Sequence, residues 1–386
     1  MSTPLEDVRV LAGDIGPRGT GTPGEAAAAD YVANRLSSLG LSVQRHAFRS
    51  VASQNLFPMA IAFLVLFAVV LYPVGGAVTR WLAALLALSA APLLWQTIRN
   101  AGNPLGVFLP KVTSCNIEAQ APPIGEARKR MVILAHLDTN RCRMTWQASK
   151  VASIEPLTWL TLGILACPGV LYLAGAVLSD ASWPWWLSPL PAAYVLGMII
   201  TLWRDDRRPF SPGAHDNAAS VAVALEVAGR LVRQPLQATE VWFVFDGAEE
   251  TDHAGVRDLL RRHAPRLKQA AFIGLEGVGS GEIVYLTRQG ICAPYRPSPE
   301  LRALAERVAL QHPELRFRPA EMLAEDDVRT LRERGYSAIG IAGRDPQTGI
   351  LPHWHRPDDV VETVSLETMQ QAAAIVLAFL DELDKA

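Results

Sequence analysis

Residues 241–250 read VWFVFDGAEE, and this stretch decides how the rest of the chain is read. Five consecutive apolar residues, β-branched and aromatic, bounded by Asp-Gly, form the pattern of a strand buried on both faces. Two adjacent carboxylates, Glu249 and Glu250, follow at once. Like charges so close repel and cost stability unless something positive compensates them. A surface pair would simply be solvated. At the end of a buried strand, the pair points to divided roles: one carboxylate on a metal, the other a general base toward water.

Working outward, MVILAHLD (131–138), AFIGLEGV (271–278), GEIVYLT (281–287) and YSAIGIAG (336–343) repeat the short apolar run. Helical periodicity lies between and after them, in residues 219–234, 256–269, 299–312 and 365–386. Upstream, residues 24–48 read as an amphipathic helix, a glycine stop and an alternating strand. The order predicts an α/β chain with a mostly parallel or mixed central sheet and helices on both faces. In such folds functional residues gather where strands end.

Two apolar insertions interrupt this pattern. No charge occurs from Val51 to Thr79, and after Arg80 the chain runs uncharged to Arg99. A second pair of uncharged runs spans 156–179 and 181–203, separated by Asp180. Each run reaches the roughly 17–25 residues that a bilayer-spanning helix needs. Tryptophans 81, 95, 183, 185, 186 and 203 lie near the run ends, as interfacial anchors do. The reading is four transmembrane helices as two hairpins, at 53–98 and 155–203, dividing a catalytic domain into 1–52, 99–154 and 204–386. With an even number of spans, those three pieces share one side. That side carries Arg45, Arg49, Arg99, Lys111, Arg141, Arg143, Lys150, Arg204, Arg207 and Arg208, against Arg80 and Asp180 in the two hairpin turns. Positive charge stays inside, so an integral, multi-pass protein with a cytoplasmic catalytic domain is expected, with the lipid bilayer as a partner.

Formal charge is nearly balanced at −2, and no basic stripe suggests nucleic acid. The four cysteines show no C-x-x-C spacing, which excludes a zinc ribbon and leaves reduced thiols as the expectation. The start of the chain lacks a basic segment followed by an apolar core and does not read as a secretory signal. The spans carry no internal charge, which argues against a transporter for polar substrates.

Candidate ligands stand at or beyond the strand ends. His136 and Asp138 share one face of their strand, so Asp138 is placed to orient the His136 ring. Asp216 and Asn217 precede an apolar-periodic helix, where they read either as helix caps or, for Asp216, as a carboxylate bridging two cations. Glu276 follows AFIGL, and His353 and His355 lie in LPHWHRPDD. His215, His253 and His312 read as bystanders.

Taken together, AHLDT, GAHDNAAS, FDGAEETDHAG and HRPDD resemble, in order, the motifs of the co-catalytic di-zinc exopeptidases. That family includes bacterial leucyl aminopeptidase and aminopeptidase Y, with glutamate carboxypeptidase II and glutaminyl cyclase as relatives. EDDVRTLRERGYSAI is similar to a further family element and aligns Asp327 with its acidic residue, while Val328 stands where the family has His. Glu276 stands where the family more often has Asp. The resemblance implies a zinc exopeptidase fold holding two Zn2+ per chain. His136 and Glu276 would hold one ion, Glu250 and His355 the other, and Asp216 would bridge them. Glu249 would be the general base, Asp138 would orient His136, and a peptide would be the substrate. The implied activity is that of a membrane-bound aminopeptidase. The alternatives are a glutaminyl-cyclase-like acyltransfer enzyme with one zinc, and a non-enzymatic receptor or scaffold on the same fold.

Overall fold

Successive residues of one strand enter two different cores. Val241, Phe243 and Phe245 pack with Met131, Ile133, Ile273, Leu275 and Ile339. Trp242 and Val244 pack with Val132, Leu134, Phe272 and Ala338. The alternation follows from the two-residue period of a strand, and apolar residues on both faces require cover on both. The computed structural model describes residues 3–100, 102–144, 148–178 and 183–385. Its strands are β1 (Val43–Val51), β2 (Lys111–Ala121), β3 (Lys129–Leu134), β4 (Thr239–Phe245), β5 (Ala271–Glu276), β6 (Glu282–Gln289), β7 (Arg318–Met322) and β8 (Ser337–Arg344). They form one eight-stranded sheet in the order β1-β2-β4-β3-β5-β8-β6-β7. The central run β4-β3-β5-β8 is parallel. β2 joins β4 antiparallel and β6 joins β8 antiparallel, so the sheet is mixed.

The helices Pro23–Ser38, Ser220–Arg233 and Leu366–Lys385 supply Val32, Leu36, Val221, Leu225, Val376 and Phe379 to the first core. Helices Ala254–Leu267 and Asp327–Glu333 supply Val256, Leu259, Val328 and Leu331 to the second. Each such side chain, fully buried, contributes about 1.5–3 kcal/mol. Thr22 caps Pro23–Ser38 by accepting from the Glu25 amide, and the proline in its first turn has no N–H to satisfy.

The chain divides into two units. The sheet and its helices form the first, from Met1–Ser50, Lys111–Cys142 and Pro209–Ala386. The second comprises Val51–Pro110 and Arg143–Arg208. It is built from helices Leu56–Val74, Ala77–Ile98, Val151–Val177 and Pro189–Asp205, with a short turn of helix at Trp183–Trp186. Ala83, Ala84, Ala87 and Ala90 are fully buried, and a Cβ on Gly169 would lie 2.7 Å from the Leu88 nitrogen, so small residues set a close helix approach here. Tyr72 and Tyr172 stack at 4.2 Å within this unit, and the Trp185 indole donates to Val69 O at 3.0 Å. Phe63, Phe67, Leu85 and Val170 are turned outward and exposed.

Among the described residues, three helices of this unit, rather than the four expected, are long and apolar enough to cross a membrane by length and composition: Leu56–Val74, Ala77–Ile98 and Val151–Val177. The described part of the fourth uncharged run, residues 183–203, does not form one continuous helix. Its first turn stops at Trp186, and a new helix starts at Pro189, leaving 17 residues to Asp205. Proline at the first helical position suits such a restart. Asp180, the charge expected in the second hairpin turn, lies outside the described residues.

Candidate metal centre

β4, β3 and β5 are parallel neighbours, so their C-terminal ends open on one edge of the sheet. His136 follows the end of β3, Glu249 and Glu250 follow the turn after β4, and Glu276 is the last residue of β5. The turn after β4 is closed over: a Cβ on Gly247 would lie 2.3 Å from Ser114 Oγ and 2.6 Å from Glu25 Oε1. Asp216 comes from Ala214–Ala219, an irregular helical turn before Ser220–Arg233, with non-helical backbone at Asp216 and Asn217 and a cis peptide between them. Neither residue caps the helix through its side chain. His355 comes from the segment after β8 and has left-handed backbone (φ 52°).

The two oxygens of Asp216 face two imidazoles. Oδ1 lies 3.2 Å from His136 Nε2, and Oδ2 lies 3.2 Å from His355 Nε2. His136 Nε2 is also 3.4 Å from Glu276 Oε1, and His355 Nε2 is 3.2 Å from Glu250 Oε1. Two groups result, His136–Asp216–Glu276 and Asp216–Glu250–His355, each with ligand atoms within 4.8 Å of one another and sharing Asp216. Glu249 belongs to neither. Its carboxylate gathers with His253 and Asp327.

The supports are buried. The Asp138 carboxylate, fully buried, accepts from Thr20 Oγ1 (2.7 Å) and from the Glu249 (3.1 Å) and Glu250 (3.3 Å) amides. His136 Nδ1 lies 2.9 Å from the Asp138 backbone oxygen and 3.7 Å from its carboxylate. Thus Asp138 meets the ring mainly through its main chain and holds the Glu249–Glu250 turn with its side chain. Asp359 accepts from the His215 and Asp216 amides at 2.7 and 3.3 Å. Asn217 donates to Leu275 O and accepts from the Gly277 amide, clamping the end of β5. Asn140 donates to Glu250 Oε2 at 2.6 Å. Arg18, fully buried, donates to the carbonyls of Leu11, Gly16, Leu137, Pro212 and Gly213 at 2.8–3.0 Å, tying the His136 and Asp216 segments together.

The cluster calls for positive charge. Burial would lower the His136 and His355 imidazoles. For His136 the charge of Glu276 prevails and carries it well above its ordinary value, and for His355 that of Glu250 carries it up to about 9. Burial pushes the Glu276 carboxyl up to about 8 and raises Glu249, helped in the latter by Glu250. Against burial, hydrogen bonds to His136 and His355 hold Asp216 well below the carboxylate range. Asp216 Oδ1 and Glu250 Oε1 are buried, and each faces an imidazole nitrogen at 3.2 Å without a well-aligned hydrogen bond to it. Oxygen and imidazole ligands with carboxylate oxygens so poorly supplied with donors suit zinc, and the residues present fit that metal.

The remaining histidines separate. His353 pairs with Asp358 at 2.9 Å and stacks on His215, whose Nε2 meets Thr363 Oγ1. His312 pairs with Glu314 on the surface. His253, read from sequence as a bystander, is instead 3.4 Å from Glu249 Oε1. Sequence reasoning also passed over Glu25 and Asn140, since a supporting acid or amide carries no motif of its own, and gave no role to Asp359, the last residue of HRPDD. Val328 is buried in the second core, so it packs rather than offers a polar contact. A further group, His46–Glu118–His263, already holds a cation. The Arg262 guanidinium pairs with Glu118 and, at 2.7 Å, with Asp258.

The model of Peptidase family M28 matches residues 205–380. The chain is 28% identical over 190 residues to aminopeptidase YwaD of Bacillus subtilis, an alignment covering 47% of this chain and 40% of that protein. It is 30% identical over 177 residues to endoplasmic reticulum metallopeptidase 1 of Rattus norvegicus, covering 45% of this chain and 19% of that one. The chain therefore spans less than half the length of either relative. A glutaminyl cyclase of Bacteroides thetaiotaomicron shares the fold, with a TM-score of 0.57 at 16% identity over 98% of this chain and 96% of that one.

Proposed function

We propose that this chain, whose residues 205–380 match Peptidase family M28, is a membrane-embedded zinc exopeptidase of the aminopeptidase type. The observation that carries the reading is Asp216, with one oxygen toward His136 and the other toward His355. In this reading His136 and Glu276 hold one zinc, Glu250 and His355 the other, and Asp216 bridges. Bound there, zinc supplies Lewis acidity toward a carbonyl oxygen and lowers the pKa of water. Glu249, outside both ligand groups, takes the proton from the attacking water and returns it to the leaving amine. Asp138 keeps the Glu249–Glu250 turn in place through the two amides it accepts. The aminopeptidase relative supports a free N-terminus as the feature recognised.

The apolar unit supports membrane insertion. The pieces of the first unit belong to one sheet, so each insertion must leave and return on the same side. The helix Pro189–Asp205 then crosses as well: its uncharged part up to Trp203 is about 22 Å long at 1.5 Å rise, and the apolar turn Trp183–Trp186 before it extends the span toward a thin hydrocarbon core. The arginine and lysine bias around the insertions supports a cytoplasmic sheet unit. Protease added to right-side-out vesicles should leave the C-terminus intact, and digestion from outside would refute that orientation.

The activity is tested by giving detergent-purified, zinc-loaded protein a panel of free-amine, N-blocked and C-blocked peptides. Cleavage that needs the free amine is expected. Cleavage indifferent to N-blocking but abolished by C-blocking would replace the aminopeptidase reading with a carboxypeptidase one. Cyclisation of N-terminal glutamine without hydrolysis would favour the glutaminyl-cyclase type.

A further inference from the structure

In FDGAEETDHAG the acid pair Glu249-Glu250 is followed by Thr251, Asp252 and His253. Asp252 (φ 85°) and His253 (φ 49°) both take left-handed backbone, uncommon for side-chain-bearing residues. The His253 amide donates to Glu249 O at 3.0 Å, so the chain loops back on the residue it has just left. The imidazole follows. Its Nε2 lies 3.4 Å from Glu249 Oε1, and its Nδ1 lies 3.1 Å from Thr330 Oγ1. Thr330 is fully buried on the helix Asp327–Glu333, and His253 is buried as well.

A neutral imidazole has one donor and one acceptor nitrogen. Here the two are assigned by their neighbours. As the general base of the reading above, Glu249 is ionised and only accepts, so Nε2 carries the hydrogen, and the Thr330 hydroxyl donates to Nδ1. Burial and the nearby Arg257 and Arg329 guanidinium groups lower the imidazole well below its ordinary value, which keeps it neutral. A neutral donor fixes a carboxylate without neutralising it as a full ion pair would. It also sits beside Asp327, whose carboxylate is within 4.8 Å of both groups. An N–H among two carboxylates relieves a repulsion that would otherwise turn Glu249 aside. The 3.4 Å separation is slightly open, as hydrogen bonds of catalytic groups are before substrate binds.

We propose that His253, oriented by Thr330, is the positioning residue that aims the Glu249 carboxylate. The inference rests on the reading of Glu249 as general base, and its test separates the two. His253→Phe keeps a ring and removes the donor; His253→Gln keeps a donor; Thr330→Val frees Nδ1. With the best-cleaved peptide of the panel, His253→Phe should lower kcat by roughly 10–100-fold with KM and zinc content unchanged, since small misplacement of a reacting group costs up to about that much. Thr330→Val should lower kcat less, and His253→Gln should recover part of the loss. Unchanged kcat in His253→Phe, or loss of zinc in both His253 variants, would overturn the proposal. A second readout needs no turnover. In chelated protein, the unfolding midpoints of Glu249→Gln, His253→Phe and the double variant should be non-additive, because the two side chains share one contact. Additive midpoints would overturn the contact. Absence of any peptide cleavage by the unaltered protein would sink the hydrolase reading separately.

Discussion

Replacing Asp138 by Ala removes an acceptor that three buried donors share: Thr20 Oγ1 at 2.7 Å and the Glu249 and Glu250 amides at 3.1 and 3.3 Å. A buried donor left without a partner costs about 1–3 kcal/mol. Three such losses, partly relieved by local relaxation, give a destabilisation of about 3–5 kcal/mol. At about 2–4 °C per kcal/mol for a domain of this size, the unfolding midpoint should fall by roughly 6–20 °C. Asp138→Asn keeps one acceptor oxygen and should lose about half as much. Thr20→Val, which removes only the hydroxyl, should cost about 1 kcal/mol. Because the lost bonds hold Glu250, Asp138→Ala should also lower zinc affinity. The assay is thermal unfolding of purified protein with and without zinc, beside metal analysis. If Asp138→Ala unfolds within about 1 kcal/mol of the parent and keeps its zinc, Asp138 does not organise the turn and the reasoning fails.

Other consequences are as direct. Glu249→Gln should lower kcat by roughly 10²–10⁴-fold while zinc content and unfolding midpoint stay put; near-full activity would reject Glu249 as the base. Gly247→Ala would press a methyl against Ser114 Oγ and Glu25 Oε1 and should cost about 1–3 kcal/mol in denaturant unfolding, so an unchanged midpoint would show the turn to be slack. Burial, with the charge of Asp138, pushes the Glu25 carboxyl up to about 8. The folded chain thus keeps a proton that the unfolded chain releases, and this contribution is complete below the ordinary carboxylate pKa and lost as pH rises through about 8. Glu25→Gln cannot titrate, so its stability relative to the parent should improve between pH 5 and pH 8, by at most about 1.4 kcal/mol per pH unit. A pH-independent difference would contradict the buried, protonated Glu25.

The central strands were legible because β3, β4 and β5 are buried on both faces and so are written as unbroken apolar runs. β2 and β7 were not. β2 carries Asn116 and Glu118 in buried positions, acceptable only because Asn116 donates to Gly255 O and Glu118 meets Arg262 and His263, partners far away in sequence. β7 is a short edge strand with Pro319 and mostly exposed residues. It has little apolar pattern to show, and edge strands tolerate proline. Three of the five proposed ligands, His136, Glu250 and Glu276, were legible as acids and an imidazole at or just beyond strand ends, whereas Asp216 and His355 were legible through the motif resemblance; all five gather in space around Asp216. His253 was not, since a left-handed turn rather than a strand or helix period carries its ring to Glu249. The fourth apolar run was read as one unbroken helix because uncharged composition does not report that the chain leaves its helix at Trp186 and restarts it at Pro189.

In the proposed site Asp216 joins two metal positions, and metal content tests this most directly. Elemental analysis of protein equilibrated with saturating zinc and freed of excess should give two ions per chain. Glu250→Gln should drop the count to one, and Asp216→Ala should remove both. A parent protein that binds one ion or none, or an Asp216→Ala variant that keeps two, would contradict it.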